Sequence, residues 1–151
     1  MNRKDLLGNI LLAMGLITKT QLDEALAEQR KTKEFIGTVL IRKGLITQKT
    51  LLDALSYQFD IPVKNLKYEY IDWKFVSQFN PSLILDFGCI PLKKDETSLT
   101  VVITNPLDVW SMIEAEKVAG DLKLELVLIS DEDMKDIVER YKQYLRGQFL
   151  E

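Results

Sequence analysis

The chain has 151 residues and a mass of 17.4 kDa, with 46% hydrophobic residues, 28% charged residues and a formal net charge of −3. This is the size of one domain or two very small ones, with apolar side chains enough for a core, which excludes disordered, collagen-like and fibrous chains. It contains no histidine, so Ser-His-Asp and Cys-His catalysis and histidine metal sites are excluded within it.

From the N-terminus, Asp5 to Met14 is an apolar-periodic stretch that reads as a helix, with Gly15 placed to end it in the left-handed conformation. Thr18 then stands as an N-cap, with Gln21 three residues on completing a capping box. Leu22, Leu26 and Gln29 follow at i, i+4 and i+7, on one face of a second helix. The polar spacer Arg30–Glu34 comes next, and then the pattern starts again. Leu7–Thr18 aligns with Ile36–Thr47 without a gap at an offset of 29 residues, and the match continues to Gln29 and Gln58. Ten positions are identical between the copies: Gly8, Leu11, Gly15, Leu16, Ile17, Thr18, Leu22, Ala25, Leu26 and Gln29. A helix–turn–helix unit this small cannot bury its apolar face alone, so the two copies are expected to pack together.

Two features strain against a purely structural reading of the repeat. Gly8 and Gly37 lie inside the first helix of each copy, where glycine costs up to about 1 kcal/mol relative to alanine. A neighbouring helix or a ligand must therefore come close to the backbone there. Gln29 and Gln58 share a face with leucines, so their amides need hydrogen-bond partners if that face is covered.

After Asp60 the texture changes. Ile61-Pro62-Val63 reads as an extended connector. Asp72 caps a short helix predicted to Phe79, and Asn80-Pro81 starts another that ends near Gly88. Cys89–Leu92 and Leu99–Thr104 read as strands joined by a turn at Asp95–Ser98, with Pro91 suited to an edge strand. The lone Cys89, set in an apolar run, reads as a buried, inert thiol. Asn105–Asp108 opens a helix to Ala119 that Gly120 closes; Leu124–Ile129 is a third strand; and Ser130 caps a last helix from Asp131 to about Leu145. The fold class expected is α+β: an N-terminal helical repeat bundle over residues 1–60, with motif copies at 6–29 and 35–58, and a small three-stranded β-β-α-β-α subdomain over 61–151.

Residues 1–60 carry a charge of +2 and the remainder −5, the sign that favours an anionic ligand on the first part. Asp108, Asp131, Glu132 and Asp133 stand at the strand-to-helix turns of the second part, where they repel phosphate. The chain has neither a GxxxxGK[ST] phosphate loop nor a GxGxxG turn, and no paired acidic motif, so no enzymatic activity is expected of it. No apolar run approaches the roughly 20 residues of a membrane span, and residues 1–5 lack a signal-like pattern, so a cytoplasmic location is expected.

The repeat resembles the tandem motif RLGxxLxxxGxxxxxxLxxxLxxQ of the MshE-type N-terminal domain of type II secretion and type IV pilus assembly ATPases, including a five-residue spacer between copies. The second part is similar to the type II secretion protein E N-terminal region through Phe87–Leu92, Leu99–Ile103 and Asn105-Pro106-Leu107-Asp108. The resemblance implies a non-catalytic regulatory and docking domain of such an ATPase, without a metal, whose ligand is cyclic di-GMP. Its site residues would be Leu7, Gly8, Leu11, Gly15, Leu22, Leu26 and Gln29 in the first copy. In the second they would be Ile36, Gly37, Leu40, Gly44, Leu51, Leu55 and Gln58. It implies as partners an inner-membrane platform protein, which would hold the chain peripherally at that membrane without insertion, and an ATPase core in cis or trans, but no nucleic acid. The leading arginine of each motif copy is Leu6 or Phe35 here. Each good bidentate arginine contact to guanine is worth about 1–3 kcal/mol, and a stand-alone adaptor without nucleotide is the alternative that this departure supports.

Overall fold

The computed structural model describes the backbone of residues 3–150 and the side chains of residues 7–148, in two compact units, Met1–Asp60 and Ile61–Glu151. The side chain of Leu6, one of the two positions where the motif arginine is replaced, lies outside the described residues.

The first unit is built of four helices: α1 (Arg3–Ala13), α2 (Lys19–Thr32), α3 (Ile36–Arg42) and α4 (Gln48–Phe59). Its core repeats with the sequence. Leu7 and Ile36, Leu11 and Leu40, Ile17 and Ile46, Leu22 and Leu51, and Ala25 and Ala54 are equivalent pairs, and both members of each are buried. α1 packs on α3 and α4, and α2 packs on α3, so the copies share one core. The turns repeat as well. Gly15 and Gly44 sit at φ +71° and +74°, where an L side chain is strained. Around them Leu16 N–H donates to Leu11 O and Gly15 N–H to Leu12 O, both at 3.0 Å. Leu45 N–H to Leu40 O (3.0 Å) and Gly44 N–H to Ile41 O (2.9 Å) reproduce the pattern. This is the Schellman arrangement that satisfies a helix's last carbonyls. The expected capping box is present: Gln21 N–H donates to Thr18 Oγ1 (3.1 Å) and Thr18 N–H to Gln21 Oε1 (2.9 Å). Thr47 caps α4 through Thr50 N–H at 3.1 Å.

The second unit holds α5 (Trp73–Val76), α6 (Pro81–Leu85), β1 (Ile90–Lys94), β2 (Ser98–Ile103), α7 (Val109–Ala119), β3 (Lys123–Leu128) and α8 (Asp131–Leu150). The sheet order is β1-β2-β3, with β1 antiparallel and β3 parallel to β2. Residues 99–103 of the central strand are all buried, as expected of a strand covered on both faces. Pro91 lies in β1, which pairs only with β2, and the register shifts between Pro91 and Lys93. A proline and a bulge are common devices for blunting a sheet edge. Asp95 makes the hairpin turn by accepting from Thr97 N–H and Ser98 N–H, each at 2.8 Å, and these bonds hold its carboxyl below the usual range.

Several boundaries differ from the sequence reading. α5 stops at Val76 rather than Phe79, because Gln78 N–H and Phe79 N–H donate in tighter i→i−3 turns to Phe75 O (3.1 Å) and Val76 O (3.2 Å). α7 begins at Val109 rather than Asn105, because Asn105 Oδ1 accepts from Leu107 N–H and Asp108 is the cap. α8 continues past Leu145 to Leu150. The connector at Ile61–Lys64 does more than connect: Val63 bridges Leu128, Leu128 N–H donates to Pro62 O, and Lys64 N–H donates to Leu128 O, both at 2.9 Å. It thereby closes the end of the outer edge of β3.

α8 covers the unit with Met134, Ile137 and Tyr141. Trp73 lies 6.1 Å from the Tyr141 ring and 6.4 Å from the Tyr144 ring, with the Arg140 guanidinium 5.6 Å from its centroid. Cys89 is buried between β1 and α7. Its Sγ–H donates to Ser111 O at 3.3 Å, and Ser111 Oγ donates to Phe87 O at 2.7 Å. Burial, with the nearby charges of Asp108 and Glu114, pushes this thiol up to about 12, so it is the inert thiol expected from the sequence.

Candidate functional site

The tandem motif places its residues in two classes. Leu7, Gly8, Leu11, Leu22, Gln29, Ile36, Gly37, Leu40, Leu51 and Leu55 are buried, and Leu26 is half-buried. Gly15, Gly44 and Gln58 are exposed. The leucines therefore hold the four helices together, and the exposed members mark the two tight turns and the end of α4. The two glutamines, equivalent in sequence, are not equivalent in space: Gln29 is 6% exposed, whereas Gln58 faces solvent. Of the two glutamines that share a face with leucines, only Gln29 is covered, because α2 has α3 against it where the end of α4 is open.

The glycine spacing has a concrete cause. A Cβ on Gly8 would meet Leu22 Cδ1 at 2.8 Å, and one on Gly37 would meet Leu51 Cδ2 at 2.9 Å. In each copy the second helix drives a leucine onto the backbone of the first. Of the two alternatives left open by sequence, a neighbouring helix is what approaches.

Electrostatics break the repeat symmetry. Arg42 of α3 forks between Glu28 of α2, at 2.5 Å, and Glu34 of the spacer, at 2.8 Å, while Lys43 Nζ lies 3.5 Å from Glu28. The Arg42 hydrogen bond is the main cause that holds the Glu28 carboxyl below its usual range, and Glu28 in turn raises Arg42. Sequence reasoning did not identify this clasp. The signal was present in the alignment: the counterparts of Arg42 and Glu28 one repeat away are Ala13 and Tyr57. Arg42 is engaged by carboxylates, whereas Arg30, Lys31 and Lys33 at the end of α2 stand exposed with no ion pair among the described residues.

The second unit carries two surface grooves, of about 530 and 510 Å³. The first runs past Lys64, Tyr70 and Lys93, and the second lies between α6 and α8 at Phe87, Met134 and Lys142. Among the described residues no helix is long and apolar enough to cross a membrane, and no group of three potential metal ligands occurs.

The sequence pattern of the MshEN domain matches residues 59–148, which is most of the α+β unit preceded by Phe59, the last residue of α4, and Asp60. No curated protein matches the sequence. Among solved structures, one of MshE with cdg is similar at a TM-score of 0.80 and 24% identity, over 89% of this chain and 97% of that one. That share extends well into the helical unit. A structure of the N-terminal domain of XpsE is similar at a TM-score of 0.69 and 16% identity, over 93% of this chain and 96% of that one. A second crystal form of the same domain gives 0.54 and 19%, over 86% and 90%. At these identities the likeness establishes a shared fold.

Proposed function

This chain belongs to the MshEN domain family, and from that membership we propose that it is a non-catalytic regulatory and docking domain of a type II secretion or type IV pilus assembly ATPase that takes cyclic di-GMP on its helical repeat. The observation that carries the reading is the doubled geometry of the first unit. The two glycine turns, two threonine caps and two leucine-on-glycine contacts recur at a fixed offset, matching the two halves of a dinucleotide. The fold likeness to MshE with cdg supports it. In this reading Gly15, Gly44, Leu26 and Gln58 meet the ligand, and the buried motif residues hold them in place. The ATPase core is supplied in cis or in trans, and the domain docks on an inner-membrane platform protein at the cytoplasmic face. Binding changes how the two repeats pack, and the chain passes that change to the motor.

A docking role without nucleotide is favoured by a separate observation. Apart from the half-buried Leu26, the motif leucines are already covered by protein, and the second motif arginine is a phenylalanine whose ring lies on Gly37. Titration calorimetry with cyclic di-GMP separates the two. The nucleotide reading expects heat with the parent chain and its loss in Gln58→Ala, a change at an exposed position that spares the core. No heat at high micromolar protein leaves the docking role alone, which pull-down of the platform protein's cytoplasmic domain tests independently.

A further inference from the structure

α7 sits on the sheet through a narrow face of small residues. Ser111, Ala115 and Ala119 are buried against β2 and β3. The opposite face is apolar where it should be polar: Val109 is 44% exposed, Trp110 70% and Ile113 39%. Val109 and Ile113 are i,i+4 neighbours and Trp110 and Ile113 are i,i+3 neighbours, so the three form one continuous patch. A tryptophan this exposed, with two apolar neighbours, is the side chain most enriched at the energetic centres of interfaces.

The charges around the patch say what kind of surface fits it. Asp108 stands at its N-terminal end, Glu114 at i+4 from Trp110, and Glu116 at i+3 from Ile113. The one nearby cation on the helix, Lys117, is paired to Glu114 at 3.2 Å. The rim is therefore net acidic. A second copy docking through a two-fold axis would set this acidic rim against itself, and an anionic membrane or a nucleic acid would be repelled. We propose that the Val109–Trp110–Ile113 face of α7 docks a protein segment with an apolar anchor flanked by lysines or arginines. Trp110 is the anchor contact, and the acidic rim steers the partner and sets the register. This surface lies in the α+β unit, and the inference stands whether or not the helical repeat binds nucleotide.

The test uses the full chain and two synthetic amphipathic helices of equal length, identical in their Leu/Trp stripe but carrying lysines in one and glutamates in the other. The expected result is amide NMR shifts confined to residues 108–117 with the lysine peptide only. Trp110→Ala should weaken that binding at least tenfold, and Glu116→Lys several-fold, with thermal unfolding unchanged for both surface variants. Equal binding of the two peptides, shifts centred elsewhere, or parent-like binding by Trp110→Ala would overturn the proposal. So would a concentration-dependent dimer in sedimentation that Trp110→Ala abolishes, or binding to phosphatidylglycerol vesicles, since these assign the face to a second copy or to a lipid surface.

Discussion

The Phe35 ring rests on Gly37: a Cβ at residue 37 would stand 2.9 Å from Phe35 Cε1 and 2.9 Å from Leu51 Cδ2. Phe35 is the N-cap residue of α3 and makes no side-chain capping bond. It folds back over the first turn of its own helix and uses an apolar contact where a polar cap is usual. In the first copy, among the described residues, the nearest contacts at Gly8 come from Leu22.

This difference orders two substitutions that look alike in sequence. Gly37→Ala must displace an aromatic ring and a leucine together, whereas Gly8→Ala, among the described residues, must displace the Leu22 methyls. Both gain helix propensity. Gly37→Ala is expected to destabilise by about 1–2 kcal/mol, in the range of overpacked cores, and Gly8→Ala by clearly less. Urea unfolding of the two variants side by side checks the order.

Gly15 and Gly44 should fail for another reason. Nothing lies within 4 Å of a Cβ built at either position, but both have positive φ. Alanine there costs roughly 1–2 kcal/mol of backbone strain with no packing change, and asparagine costs less. Thermal unfolding of Gly44→Ala against Gly44→Asn measures the difference; equal losses would mean that conformation is not the cause.

Tyr141 is fully buried, and its hydroxyl has no hydrogen-bond partner among the described residues. Removing a buried, unsatisfied donor relieves a desolvation cost while the ring keeps its contact with Trp73. Tyr141→Phe is therefore expected to stabilise the chain, by about 1 kcal/mol. A destabilised variant would show that the hydroxyl is satisfied in solution.

The Arg42 clasp predicts a pH dependence. Arg42 lowers the folded-state pKa of Glu28 below its ordinary 4.5. Its contribution is fully present above the unfolded carboxylate range and is lost as the pH falls through the lowered value. Arg42→Gln should melt below the parent at neutral pH, with the gap closing on acidification beneath that range. The side chains are exposed to solvent, so added salt should narrow the gap as well.

With its thiol pushed up to about 12, Cys89 stays protonated at pH 8. A thiol-specific reagent should leave the native chain unlabelled and label it fully in denaturant. Rapid native labelling would mean that the α7–β1 contact opens readily.

What the sequence determined by itself is local. The glycine turns, the threonine caps, the Asp95 hairpin and the Asp72 cap depend on φ angles and on hydrogen bonds between residues a few positions apart, and such bonds are written in residue type and spacing. The order of helices and strands follows from the same signals. The repeat itself was legible as ten identities, and with it the tight glycine positions. What the sequence left open is which body covers each face. Periodicity put Gln29 and Gln58 among leucines, but only tertiary packing buried one and exposed the other. It also turned the motif leucines inward as a core, laid Phe35 on Gly37, engaged Arg42 with Glu28 and Glu34, and paired Ile61–Lys64 with the edge of β3. Each of these contacts joins groups whose meeting depends on how whole elements dock, and a two-copy bundle gives its copies unequal neighbours even where their residues are the same.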